Sequence, residues 1–199
     1  MRAVVLLLLC AASASAHDAW IEPRATLDGA ELRLLLGEHL AAEKVLPFSG
    51  TIALARPPFE VTLDAETFNR YLAEEGHDPR FRADRTVRER VKRHLKTFAG
   101  AEFDSSFLER FGTRLEIVPL DVPRSGKPFR VKLLLEGKPL AGARVTFHGS
   151  TTAVVRTDSR GEAEAALEAG FVLVRATHIR RGDDIDFESD WAALTFRLP

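Results

Sequence analysis

Phe129-Arg130-Val131-Lys132-Leu133-Leu134-Leu135-Glu136-Gly137-Lys138-Pro139-Leu140-Ala141-Gly142-Ala143-Arg144-Val145-Thr146-Phe147 decides the fold. Phe129, Val131, Leu133 and Leu135 recur every second residue, the period of a strand with one face in a core. Glu136-Gly137-Lys138-Pro139 punctuates the run as a turn, and Val145 and Phe147 resume the alternation. Working outward, residues 115–119, 129–135, 143–147, 152–156, 162–167, 171–178 and 192–198 read as short strands. Pro123-Arg124-Ser125-Gly126, Asp158-Ser159-Arg160-Gly161 and Glu168-Ala169-Gly170 separate them as turns. Seven strands at this spacing predict an antiparallel β-sandwich over residues 101–199.

Upstream, Leu32, Leu34 and Leu36 mark one strand, and residues 51–55 and 59–63 two more, so residues 17–63 form a smaller β region. Residues 64–100 read as a two-helix insertion. Asp64 caps the first helix, Phe68, Tyr71 and Leu72 line its apolar side and Gly76 ends it. Asp84 caps the second, with Val87, Val91, Leu95 and Phe98 as its stripe and Gly100 as its stop. The interval from Arg80 to Lys96 carries eight basic and two acidic residues in a chain whose net charge is −1. The basic segment from Arg85 to Lys96 reads as a solvated helix flank, and without interleaved aromatics it is a poor nucleic-acid surface.

Residues 1–16 have the parts of an export signal: Arg2, an apolar run from Val4 to Leu9, and the small-residue site Ala14-Ser15-Ala16. The run is too short to span a bilayer, which takes about 20 residues. Cleavage after Ala14 also fits. Cutting after Ala16 leaves 183 residues that start at His17 and contain no cysteine, since Cys10 is the only one. That excludes thiolate catalysis, disulfides and Cys-ligated zinc. No Gly-x-Ser-x-Gly, His-Glu-x-x-His or glycine-rich phosphate loop is present, and no carboxylate pair has a spacing that marks acid/base work. The expected protein is therefore a periplasmic or secreted one that is not an enzyme.

Six histidines carry what chemistry remains. His17 at a free amino terminus would offer both an amine and an imidazole to a divalent metal, a nitrogen-rich set suited to nickel, cobalt or copper. His39 follows a strand after Gly37-Glu38, at a rim position. His178 is in phase with Val172, Val174 and Ala176 at the far end of a strand, where a ligand and a packed core histidine are both consistent with the pattern. His77 and His148 read as exposed, and His94 as packed on the second helix's stripe. The acidic loop from Asp183 to Asp190 can offer Glu188 or Asp190 as an oxygen ligand, or as a carboxylate that holds a histidine in one tautomer.

Gly137-Lys138-Pro139-Leu140-Ala141-Gly142-Ala143-Arg144-Val145 followed by Thr157-Asp158-Ser159-Arg160-Gly161 resembles the immunoglobulin-like modules of surface and carboxypeptidase-regulatory proteins. Four stretches together carry a broader likeness. They are Ala16-His17-Asp18-Ala19-Trp20-Ile21-Glu22-Pro23, Gly37-Glu38-His39, Phe68-Asn69-Arg70-Tyr71-Leu72-Ala73-Glu74-Glu75-Gly76 and Glu188-Ser189-Asp190-Trp191-Ala192-Ala193-Leu194-Thr195-Phe196. In this order they resemble a family of exported proteins assigned to nickel or cobalt uptake, many of whose members carry only a domain-of-unknown-function label. The resemblance implies a periplasmic metal-binding accessory of a nickel/cobalt transporter, with His17 central and His39, His178 and Glu188 as the matching candidates for the metal site. Two other readings stand beside it: a copper carrier or oxidase-like protein built on the same histidine, and an interaction module without metal.

Overall fold

A computed structural model describes residues 19–26, 29–36, 50–55, 58–99 and 102–199. The export signal with Cys10, His17 and His39 lie outside the described residues. The chain is mainly β, with open sheets. In order, the elements are β1 (Ala19–Thr26), β2 (Gly29–Leu36), β3 (Gly50–Ala55), β4 (Phe59–Leu63), α1 (Ala65–Glu74), β5 (Val87–Ala99), β6 (Leu115–Pro119), β7 (Lys127–Leu135), β8 (Lys138–Pro139), β9 (Arg144–His148), β10 (Thr152–Arg156), β11 (Glu162–Leu167), β12 (Gly170–Arg181) and β13 (Phe187–Leu198). Among the described residues no helix is long and apolar enough to cross a membrane.

β1 and β2 form an antiparallel hairpin, and β1 lies against β5 and β13. The largest sheet runs β10-β9-β12-β13-β5-β3, with β4 pairing the first half of β5 and β3 the second. A smaller sheet is ordered β11-β7-β6, with β8 on β7. The two sheets share one core. Leu115, Ile117, Phe129, Val131 and Leu133 of the smaller sheet meet Val145, Phe147, Val172, Val174, Leu194 and Phe196 of the larger. The short turn Ser105–Leu108 adds Phe107, whose ring stands 5.2 Å edge-on from Phe196. These positions are the period-two set of the sequence, so burial follows from alternation.

The turns match their chemistry. β7 and β8 are joined by Glu136 and Gly137, both at positive φ, the conformation a two-residue hairpin linking right-twisted strands requires. Asp158 Oδ1 accepts from the backbone N–H groups of Arg160 and Glu162, each at 2.8 Å, which closes the turn ahead of β11.

Two expectations need correction. The two-helix insertion holds only one α-helix, α1, capped by Asp64, whose carboxylate accepts from the Thr67 N–H at 2.8 Å. The segment read as a second helix is the thirteen-residue strand β5. Its stripe Val87, Val91 and Leu95 is spaced by four, an even number, and so falls on one face of a strand as well as of a helix. Phe98 breaks the tie: it is odd relative to the others and packs in the shared core, while Val87 packs with Phe68, Leu72, Ile179 and Phe187 on the opposite face. The sheet is also not purely antiparallel, because β13 pairs with β5 in parallel.

Candidate functional site

The central strands β12, β13 and β5 carry side chains of one face past the shared core to an ionic cluster. β13 is buried at Glu188 and Asp190, with 7 % and 1 % of their surfaces exposed. The register places Glu188 beside Arg90 and Arg180, and Asp190 beside Lys92 and His178. The run expected as an acidic loop is thus partly strand from Phe187 onward, and its two key carboxylates are interior. A buried carboxylate is tolerable only when it is paired, because desolvation costs several kcal/mol per ion.

Glu188 is paired heavily. Its carboxylate accepts from Arg90 Nη1 and Lys92 Nζ, each at 3.3 Å, and from Arg180 Nη2. Burial opposes its ionisation. The hydrogen bond and charge of Lys92, the charge of Arg180 and the hydrogen bond of Arg90 outweigh burial and hold the carboxyl below its ordinary value. Arg90 also grips Asp184 with two bonds of 2.8 Å and Glu60 with one of 3.0 Å, so the network extends to the surface.

Asp190 is the inner group. Its Oδ2 lies 3.1 Å from Arg114 Nη1, and its Oδ1 lies 3.0 Å from His94 Nε2. A carboxylate paired with arginine is an acceptor, so Nε2 of His94 carries the hydrogen, and Nδ1 is the ring nitrogen left over. That Nδ1 is buried and bonds nothing among the described residues, and the same is true of Nδ1 of His178. Burial lowers the pKa of His178, Asp190 partly opposes this, and Arg114 and Arg180 add to it, so the ring is neutral near pH 7. Two imidazoles, each with an Nδ1 that bonds nothing among the described residues, thus flank one interior carboxylate. Among the described residues no three His, Cys, Asp or Glu side chains are already converged on a point as metal ligands.

The opposite face of the same strands is packed by α1. Tyr71 stacks on Trp191 at 5.5 Å, and Trp191 Nε1 donates to Ser189 Oγ at 3.0 Å. Glu89 is interior here, and burial raises its pKa despite the hydroxyls of Ser189 and Tyr71. Glu75 meets Arg175 at 3.0 Å.

Of the four sequence-derived site residues, the structure describes His178 and Glu188, on adjacent strands and the same face. His94, expected as a packed helical residue, is on β5 against Asp190. His77, expected to be exposed, is half-buried, with Nε2 2.9 Å from Thr177 Oγ1. Of the cations that organise the site, Arg90 and Lys92 were missed because they were read as a solvated helix flank. The signal was present: Arg88-x-Arg90-x-Lys92 and Asp186-x-Glu188-x-Asp190 have complementary charge at a period of two. The parallel register sets Glu188 against Arg90 and Asp190 against Lys92.

Fold and cluster together define the class: a β-rich protein with an ionic centre buried on a sheet face. A family model described as "Domain of unknown function (DUF4198)" matches residues 49–180, and the chain belongs to that family. No curated protein and no solved structure matches the chain.

Proposed function

We propose that the chain is a periplasmic carrier of nickel or cobalt, an accessory to a membrane transporter of these ions, and not an enzyme. The metal is cargo. The observation that carries this reading is Asp190 standing between His94 and His178, each with a buried Nδ1 that bonds nothing among the described residues. Nitrogen-rich sets of this kind suit late first-row ions. The mature amino terminus at His17, with His39, supplies the outer ligands, and His178 the inner one. Asp190 fixes the tautomer of His94, as carboxylates do around ligating histidines. Glu188, hydrogen-bonded by three cations, acts as the anchor that orients the cluster. The two sheets with their shared core and the Asp158–Gly161 turn support reading this scaffold as a variant of the immunoglobulin-like sandwich.

Calorimetric titration of nickel into the exported protein tests the reading. Stoichiometric binding is expected, weakened strongly by His178→Ala and by one extra residue ahead of His17. Affinity unchanged by the extra residue would remove the amino-terminal chelate.

A further inference from the structure

A second feature lies on the other edge of β12. β9 pairs only with residues 173–176 of that strand, so beyond them its edge is uncovered by any described strand. A cleft of about 590 Å³ opens there, between the end of α1 and the Gly142 turn. That is within the size range of small-molecule sites. Phe81, Leu140 and Ile179 give it apolar wall, and Arg144, Arg156 and His77 give it polar wall.

Two guanidinium groups meet in it over Gly76. A Cβ on that residue would lie 3.2 Å from Arg156 Nη2, 3.2 Å from Arg144 Cδ and 3.6 Å from Arg144 Nη1. Absence of a side chain, at φ +67°, lets them approach. Neither is paired with a carboxylate among the described residues. Arg156 donates only to the carbonyls of Gly142 and Gly76, at 2.8 and 3.3 Å, and Arg144 Nε is buried without a partner among the described residues. The carboxylates that border the cleft are engaged elsewhere: Asp78 with Arg80 and Glu75 with Arg175. His77 on the same wall has a pKa lowered to about 4, by burial first and then by repulsion from the protonated form of His178 and from Arg156.

We infer that this cleft binds a small oxyanion, a carboxylate or a phosphate, with Arg144 as its anchor and Arg156 beside it. A planar guanidinium matches either group with paired hydrogen bonds, and in a partly dry cleft such charge-assisted bonds are strong. The apolar wall would favour an oxyanion carried on a small body with an apolar part over the bare ion. Neither arginine belongs to the proposed metal set, but His178 lines the cleft as well, so the titration is run without metal to keep the two readings apart.

The test uses the full exported chain without added metal, titrated with inorganic phosphate and with benzoate. Amide chemical shifts of Gly76, His77 and Gly142 report the site, and calorimetry the affinity. At least one probe is expected to shift these amides, benzoate more tightly than phosphate. Arg144→Gln is expected to weaken it by about tenfold or more. Phosphate binding more tightly than benzoate would assign the bare ion. Arg144→Lys, which keeps the charge and loses the fork, is expected to fall between, and serves if Arg144→Gln lowers the thermal midpoint. No shift at these amides with either probe, or equal binding by wild type and both variants, overturns the inference.

Discussion

His94 Nε2 and Asp190 Oδ1 stand 3.0 Å apart across the one parallel strand pairing among the described residues, joining positions 96 residues apart in sequence. Asp190 also holds Arg114, so one interior carboxylate ties β5, β13 and the start of β6 together. Asp190→Ala leaves a guanidinium and an imidazole facing an apolar gap. It is expected to cost about 3–5 kcal/mol of stability, measured by urea denaturation. Asp190→Ala with Arg114→Met should recover part of that loss, and a double variant no more stable than Asp190→Ala would show the pair is not coupled.

Phe68 is completely buried and lies 4.5 Å from the Phe187 ring, the contact that fastens α1 to the sheet. Phe68→Ala is expected to destabilise by about 3–5 kcal/mol through cavity formation. A loss below about 1 kcal/mol would mean that α1 is not part of the cooperative core.

Acid should destabilise the fold in two stages. The pKa of His77 falls from 6.5 to about 4 on folding, so between these values the unfolded chain binds more protons. Its contribution is complete above pH 6.5 and is lost progressively as pH falls toward 4, up to about 3 kcal/mol. His178, lowered by burial, adds with the same sign. Glu188 acts lower: its depressed pKa gives stability that is present above the ordinary carboxyl value of 4.5 and lost as pH falls through the folded value. Thermal midpoints against pH should show a shallower slope between pH 4 and 6.5 in His77→Gln. An unchanged slope would exclude His77 as a source.

Gly161 and Gly112 separate backbone strain from steric exclusion. Both have positive φ, 75° and 72°. A Cβ at Gly161 would lie 2.8 Å from Leu133 O, whereas at Gly112 it would meet nothing within 4 Å. Gly112→Ala should cost about 1 kcal/mol, the conformational term alone. Gly161→Ala should cost clearly more, because the obstacle is backbone that cannot rotate away. Equal midpoints for the two variants would show that the turn yields.

Much of this architecture could be read from residue pattern. Val172, Val174, Phe129 and Val131 face the core because alternation leaves a strand only two faces, and Asp64 and Asp158 cap and turn by bonds to residues two to four positions away. Such features are local, so a short window contains their cause. The second helix failed as an expectation because a spacing of four satisfies both periods, and only Phe98 and the neighbours β3, β4 and β13 distinguish them.

The site divides in the same way. By itself the sequence determined that the chain is β-rich, that cysteine chemistry is confined to Cys10, and that His178 and Glu188 are candidate site residues. Only the tertiary structure decided that Arg90, Lys92, Arg114 and His94 surround Glu188 and Asp190, and that Arg144 meets Arg156 over Gly76. The physical reason is range. A hydrogen-bond period acts over two to four residues, whereas a buried charge takes whichever counter-charge the sheet register brings alongside it, here from about a hundred residues away.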